Sequence, residues 1–182
     1  LFAKYGDNME EGDLFILNDP FEGGMHIPDI FIVKPLFWEE KRIAFAVSTA
    51  HHLDMGGRLP GSSACDNTEI FQEGLRIPWL KLYRGGVPDE AIFSIIRTNV
   101  RVPQMTLGDL RAQIAACNIA DRRLQELYGR YNSETISTCI ATIWDQSEAK
   151  ARDVVREIPD GTYEAESSLD NDGRDTETPL RV

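Results

Sequence analysis

The three histidines of the chain, His26, His51 and His52, all fall between residues 26 and 52, and Asp29 and Asp54 lie within or just past the same stretch. Imidazole nitrogen and carboxylate oxygen are ligands of divalent cations such as zinc and manganese. Two imidazoles and a carboxylate brought to one point would hold an ion, and a neighbouring imidazole or carboxylate could move protons beside it. The competing reading is ordinary polar structure, since a histidine is more often hydrogen-bonded scaffold than ligand. What separates the two is whether the chain brings these side chains together.

The elements between the histidines bear on that question. Ile30–Val33 and Ile43–Val47 are short runs rich in β-branched and aromatic residues, joined through Phe37-Trp38-Glu39-Glu40-Lys41-Arg42, which supplies a polar turn, so the segment reads as a β-hairpin. A turn centred on Glu40 sets Asp29 opposite His51 and His26 opposite Asp54; a register one residue longer sets Asp29 opposite His52 instead. Directly opposed residues have Cβ atoms roughly 4.5–5.5 Å apart, close enough for two ligands of one ion. Successive strand residues face opposite sides, so only one of His51 and His52 is expected to reach the site. Ahead of the hairpin, Asn18-Asp19-Pro20 ends a strand begun at Leu14, Gly23-Gly24 frees the backbone, and Pro28 disfavours helix at Ile27. His26 and Asp29 therefore sit on a loop entering a strand, not on one face of a helix. A catalytic metal commonly takes three protein ligands and an open position. A further acidic ligand from elsewhere is expected.

Composition narrows the classes of partner. The 182 residues are 42% hydrophobic and 9% aromatic, which is ordinary globular composition, and the formal net charge is −11. That charge argues against binding a nucleic-acid backbone or an anionic membrane surface, both of which reward a basic face. Cys65, Cys117 and Cys139 are odd in number, widely spaced and without a CxxC pair, so neither a disulfide framework nor a thiolate zinc site is suggested. No apolar run approaches the ~20 residues of a membrane span, and a cytoplasmic location is expected. The opening Leu1-Phe2 and the closing strand-like Thr178-Pro179-Leu180-Arg181-Val182 suggest part of a longer polypeptide.

The expected fold class is α+β: a β-rich site region over 1–87, dense in Gly and Pro, a helical region over 88–158, and the start of a further β region over 159–182. Pro88-Asp89-Glu90 opens a short helix to about Asn99. Thr106-x-x-Asp109 resembles a capping box and predicts a helix with the stripe Leu107, Leu110, Ile114, Cys117, Leu124, Leu127, stopping near Gly129. Asn132 or Ser133 caps a second long helix whose apolar face runs Ile136, Ile140, Ile143, Ala151, Val154 and which ends near Ile158-Pro159. Two such helices joined by a few residues make an antiparallel hairpin. Cys117 and Cys139 lie in or beside these stripes and read as core. Asp160-Gly161 is a turn, and Thr162–Glu166 is expected to begin a new strand.

Other constellations carry less. Asp66, Glu69 and Glu73 form an acidic cluster that could supply a base or orient a ligand, against the plainer reading of a solvated loop face. Cys65 permits a thiol nucleophile, although a lone loop cysteine is usually inert. There is no GxxxxGK[ST] and no GxGxxG, so the segment has no recognisable nucleotide-phosphate loop of its own.

Four long strings resemble one family. Gly12-Asp13-Leu14-Phe15-Ile16-Leu17-Asn18-Asp19-Pro20-Phe21-Glu22-Gly23-Gly24-Met25-His26-Ile27-Pro28-Asp29 is similar to the signature of the hydantoinase B/oxoprolinase family. So are Ala50-His51-His52-Leu53-Asp54-Met55-Gly56-Gly57, Glu69–Pro78, and Asn99-Val100-Arg101 through Gly108–Ala116. The resemblance implies the metal-bearing part of an ATP-dependent hydrolase of cyclic amides, such as hydantoins, 5-oxoproline or lactams. It implies a hetero-oligomeric or fused partner, hydantoinase A-like, that holds ATP with magnesium and phosphorylates the substrate's carbonyl oxygen. By motif position the metal ligands are His26, Asp29 and His51, for manganese or zinc, with a further acidic ligand upstream of the signature. His52 and Asp54 are expected as catalytic proton-transfer or orienting groups. A ketone carboxylase shares the same metal motif and is the rival within the family; a non-catalytic metal scaffold is the rival outside it.

Overall fold

The computed structural model describes residues 1–62, 64–169 and 180–181. The chain divides into two compact units, Leu1–Leu124 and Gln125–Val182, so the boundary falls inside a helix. The architecture is α+β, with strands concentrated in the first half and helices in the second.

The first unit is built on an antiparallel sheet of five strands: β1 (Leu14–Leu17), β2 (Asp29–Trp38), β3 (Lys41–His51), β4 (Leu80–Arg84) and β5 (Val87–Pro88), in the order β3-β2-β1-β4-β5. A short helix α1 (Phe2–Tyr5) precedes it, and α2 (Glu90–Asn99) and the first part of α3 (Pro103–Arg130) follow. Alternation along the strands sorts the side chains. Ile16, Ile30, Ile32 and Leu36 join Phe93 and Ile96 of α2 and Leu107, Leu110, Ile114 and Cys117 of α3 in one buried cluster. Phe15 and Val33 face the other way and pack with Met9, Tyr5, Phe45 and Trp79. Burying one large aliphatic side chain stabilises by roughly 1.5–3 kcal/mol, so the helix-covered face is the main source of rigidity beneath the hairpin. Lys34 belongs to the strand positions of that face and is neutralised there: its ammonium lies 2.7 Å from an Asp121 carboxylate oxygen and 2.8 Å from Asn118 Oδ1.

The hairpin sets Asp29 opposite His51, as a turn centred on Glu40 predicts, but by a different route. Its turn is the two residues Glu39-Glu40, both at positive φ (48° and 63°), the backbone of a primed two-residue turn. Next to the turn Trp38 pairs with Lys41 and Phe37 with Arg42, a register that would carry Asp29 opposite Ala50. A bulge follows: Leu36 pairs with Ala44, leaving Ile43 as the extra residue, and from there the ladder runs to Asp29↔His51. The bulge thus places His51, and not its neighbour, across from Asp29.

α2 starts and ends where expected, and Asp89 caps it by accepting a hydrogen bond from the Ala91 N–H. α3 starts at Pro103, a turn before the expected Thr106, because proline needs no N–H partner in a first turn and its fixed φ suits one. Thr106 lies inside the helix and is buried.

In the second unit, α4 (Ser133–Arg156) follows α3 with Tyr131 and Asn132 between them, and the Asn132 side chain accepts from the Thr135 N–H. Of its expected apolar face only Ile136 is buried; Ile140, Ile143 and Val154 are exposed. Cys139 is exposed as well, which corrects its reading as core, whereas Cys117 is buried as expected. No strand forms over Thr162–Glu166. β6 is Ser168–Leu169, paired antiparallel with β7 (Leu180–Arg181). Thr178, Pro179 and Val182 of the expected closing strand lie outside the described residues. Among the described residues no helix is long and apolar enough to cross a membrane.

Candidate metal centre

Asp29 is the first residue of β2 and His51 the last of β3, so the two face each other at the open end of the hairpin. His26 is delivered by the turn immediately before, closed by the Asp29 N–H donating to the His26 carbonyl at 2.8 Å. That turn hangs from Asn18, fully buried at the end of β1: its side-chain amide donates to the Ile27 and Leu75 carbonyls, and its oxygen accepts from the Ile77 N–H. A Cβ at Gly24 would stand 2.5 Å from the Asn18 carbonyl oxygen, so only glycine lets the loop pass this close.

The three side chains converge. Asp29 Oδ1 lies 2.9 Å from His51 Nδ1, and Oδ2 lies 3.9 Å from His26 Nδ1. The imidazoles stack with centroids 5.4 Å apart and planes 22° off parallel. One ligand atom from each residue can be chosen so that all lie within 4.8 Å of one another. Bonds of about 2.0–2.2 Å in a tetrahedral shell put ligand atoms roughly 3.4 Å apart, so small side-chain rotations close the set around one ion. The donor chemistry, two imidazoles and one carboxylate, also suits zinc or manganese. The site opens to solvent: the side chains of His26, Asp29 and His51 are 41%, 18% and 60% exposed.

His52 and Asp54 take other places. The ladder gains one more bond, from the His52 N–H to the Pro28 carbonyl at 2.8 Å, and pairing then stops, so His26 and Asp54 are not opposed. The His52 ring points into the fold, fully buried, with Nε2 2.8 Å from Gln113 Oε1 on α3. Asp54 is buried too. Its Oδ1 accepts from the N–H groups of Gly56 and Arg101, and its Oδ2 from the Gly61 N–H and the Arg101 guanidinium. Desolvation pushes this carboxyl's pKa up, but the Arg101, Gly61 and Gly56 N–H groups and the Arg101 guanidinium outweigh it and hold the value at about 2. Asp54 thereby ties the loop after β3 to the start of α3.

Several of these partners escaped the sequence. Arg101 and Gln113 lie within strings quoted for the family resemblance, yet nothing in their spacing marks them as partners of Asp54 and His52. The one available signal is chemical, since a buried carboxylate requires a cation and N–H donors. Asp66 is exposed and paired with Arg58, as a solvated loop face would be, and Cys65 is exposed. A cleft of about 500 Å³ lies apart from the three convergent residues, lined by Asp19, Phe71, Arg76 and Asn99 beside Gly56-Gly57.

A sequence profile described as Hydantoinase B/oxoprolinase matches residues 1–182. The caprolactamase subunit beta of Pseudomonas jessenii is 36% identical over 169 residues, covering 93% of this chain and 29% of that protein. The acetophenone carboxylase delta subunit of Aromatoleum aromaticum is 29% identical over 167 residues, covering 90% of this chain and 24% of that protein. Among solved structures, the crystal structure of the ATP-dependent caprolactamase from Pseudomonas jessenii superposes with a TM-score of 0.84 at 35% identity, over 92% of this chain and 29% of that one. The chain therefore spans less than a third of the length of these relatives.

Proposed function

The chain belongs to the hydantoinase B/oxoprolinase family, and from that premise we propose that it is the metal-bearing part of an ATP-dependent hydrolase of cyclic amides. The observation that carries the reading is the convergence of His26, Asp29 and His51 on one solvent-facing point. In this reading the three hold a divalent ion, manganese or zinc, with a further acidic ligand from outside this sequence. When bound, the ion supplies a Lewis acid and brings water toward ionisation near neutral pH. Asp29 Oδ1 is in hydrogen-bond reach of His51 Nδ1 and orients that ring, while Oδ2 faces His26 Nδ1 at 3.9 Å. The exposure of the three side chains leaves room for substrate beside the ion.

A hydantoinase A-like partner, separate or fused, holds ATP with magnesium and activates the substrate by phosphorylating its carbonyl oxygen. The similarity to a protein named as an ATP-dependent caprolactamase supports the ATP dependence, and that to a caprolactamase subunit beta supports a partner subunit; the chain itself carries no nucleotide-phosphate motif. Of the two parts expected from sequence, proton transfer or orientation, the hydrogen bonds of His52 and Asp54 favour orientation. The similarity to an acetophenone carboxylase subunit favours one second reading, in which the same ligands serve a ketone carboxylase.

The test is metal analysis of the full-length protein with its ATP partner, and ATP-dependent turnover on hydantoins, 5-oxoproline, lactams, and ketones with bicarbonate. Metal at about one ion per site and turnover of a cyclic amide are expected; turnover of ketones alone selects the carboxylase, and absence of bound metal sinks both. Cys65→Ser is expected to retain most activity. An inactive Cys65→Ser beside an active His51→Ala would replace the ion by a thiol nucleophile.

A further inference from the structure

Gln113 stands in the apolar stripe of α3 between Leu110 and Ile114, 5% exposed, where packing alone would be served by an aliphatic side chain. A buried amide is costly unless its hydrogen bonds are made. This one reaches across the hairpin: Nε2 lies 2.9 Å from the Ile30 carbonyl of β2 and 3.1 Å from the Ser48 carbonyl of β3, while Oε1 lies 2.8 Å from His52 Nε2. The amide can sit only one way round. Reversed, its oxygen would face two carbonyl oxygens with no proton between them. Both amide protons are thus spent on the two strands, Oε1 must accept, and His52 must carry its proton on Nε2. Among the described residues His52 Nδ1 is then a buried acceptor with no partner. An orphaned lone pair is a cost that apolar packing would not incur.

We propose that Gln113 is a positioning residue for the ion-binding end of the hairpin, a role that rests on the ion-binding reading above. Ile30 adjoins Asp29 and His52 adjoins His51, so each outer bond of the amide lies one residue from a proposed ligand. Neighbouring strand residues point to opposite faces. Pinning the His52 ring inward therefore fixes the rotation of the strand end and turns His51 outward, and bonding both strands at once holds the register that pairs Asp29 with His51. The sheet's own ladder ends at this place, where fraying would otherwise separate the two ligands.

The experiment uses the full-length protein freed of metal, with Gln113→Met, which keeps the length and removes all three bonds, and Gln113→Glu, which keeps an acceptor for His52 but sets a carboxylate oxygen against two carbonyls. Manganese and zinc binding are titrated by calorimetry well below the melting temperature, and hydrogen exchange is followed at the His52 amide. Each variant is expected to weaken ion binding by about 10-fold or more and to speed exchange at His52; if Gln113→Met fails to fold, Gln113→Glu is read the same way. Wild-type affinity and unchanged exchange in the folded variants would overturn the proposal however far the melting temperature falls, since that is the signature of packing alone. If the wild-type protein binds neither ion, the ion-binding reading fails together with the role built on it, whereas normal wild-type binding with insensitive variants removes only Gln113.

Discussion

His51 and Asp54 lie a few residues apart, yet the hairpin end and the loop after it put the same residue types to opposite uses. At the hairpin end Asp29, His26 and His51 meet with part of each side chain open to solvent and with lone pairs that the fold does not consume. In the loop, both oxygens of Asp54 are spent on donors from Gly56, Gly61 and Arg101, and the group is closed off from water. A polar group whose bonds are all satisfied inside the fold contributes to holding it. One held in place with bonding capacity left over is available to a ligand. Residue type alone does not assign either part; the neighbours do.

The sharpest way to break this contrast is to remove one residue from each side. His51→Ala, in the full complex, is expected to reduce product formation to background and to abolish ion binding, while the partner still binds nucleotide and the melting temperature stays close to wild type. A large fall in melting temperature would mean that the exposed trio is scaffold after all. Asp54→Ala is expected to do the reverse, costing about 1–3 kcal/mol in urea unfolding because it leaves the Gly56, Gly61 and Arg101 backbone N–H groups without their acceptor. A fully stable Asp54→Ala that loses activity would move Asp54 to the chemical side of the comparison.

Acid separates the regions less severely. The carboxyl of Asp54 has its folded pKa depressed to about 2, so its contribution is complete above the unfolded value near 4 and is lost as pH falls through about 2. That contribution is worth about 2 kcal/mol. Asp13, beside Lys81, and Asp19, beside Arg76, are held below the usual carboxylate range against the opposing effect of burial, and act in the same direction. Unfolding followed from pH 5 to pH 2 should show stability falling in that window, and Asp54→Asn should flatten part of the slope. An unchanged slope would mean that Asp54 is not held as its contacts indicate.

The smallest effect concerns the far end of the hairpin. Glu39 and Glu40 occupy positive φ without being glycine or asparagine. The pair Glu39→Asn with Glu40→Gly should stabilise by about 1 kcal/mol and leave ion affinity unchanged. Altered affinity would show that the turn, and not the bulge and the open end, sets the ligand geometry.

Much of this architecture is written in local sequence. The β-branched and aromatic runs Ile30–Val33 and Ile43–Val47 marked β2 and β3, Pro88-Asp89-Glu90 marked the start of α2, and Asn132-Ser133 marked that of α4, because each depends on a few adjacent residues. The strings around His26, His51 and Gln113 were long enough to identify the family. Asp29 opposite His51 was legible too, although a turn centred on Glu40 reached it where the chain uses a two-residue turn and a bulge at Ile43. Proton-transfer or orienting parts for His52 and Asp54 were read from the motif and from nearness along the chain, and nearness did not decide where the His52 ring and the Asp54 oxygens went. Arg101 and Gln113 decided that, from positions remote in sequence, since buried polar atoms bond to whatever donors and acceptors packing brings within reach. The same holds in reverse for Cys139 and the apolar face of α4, whose periodicity announces a buried stripe. Periodicity fixes which residues of a helix share a face; what covers that face is settled only by tertiary contacts, and in the described structure Cys139, Ile140 and Ile143 remain exposed.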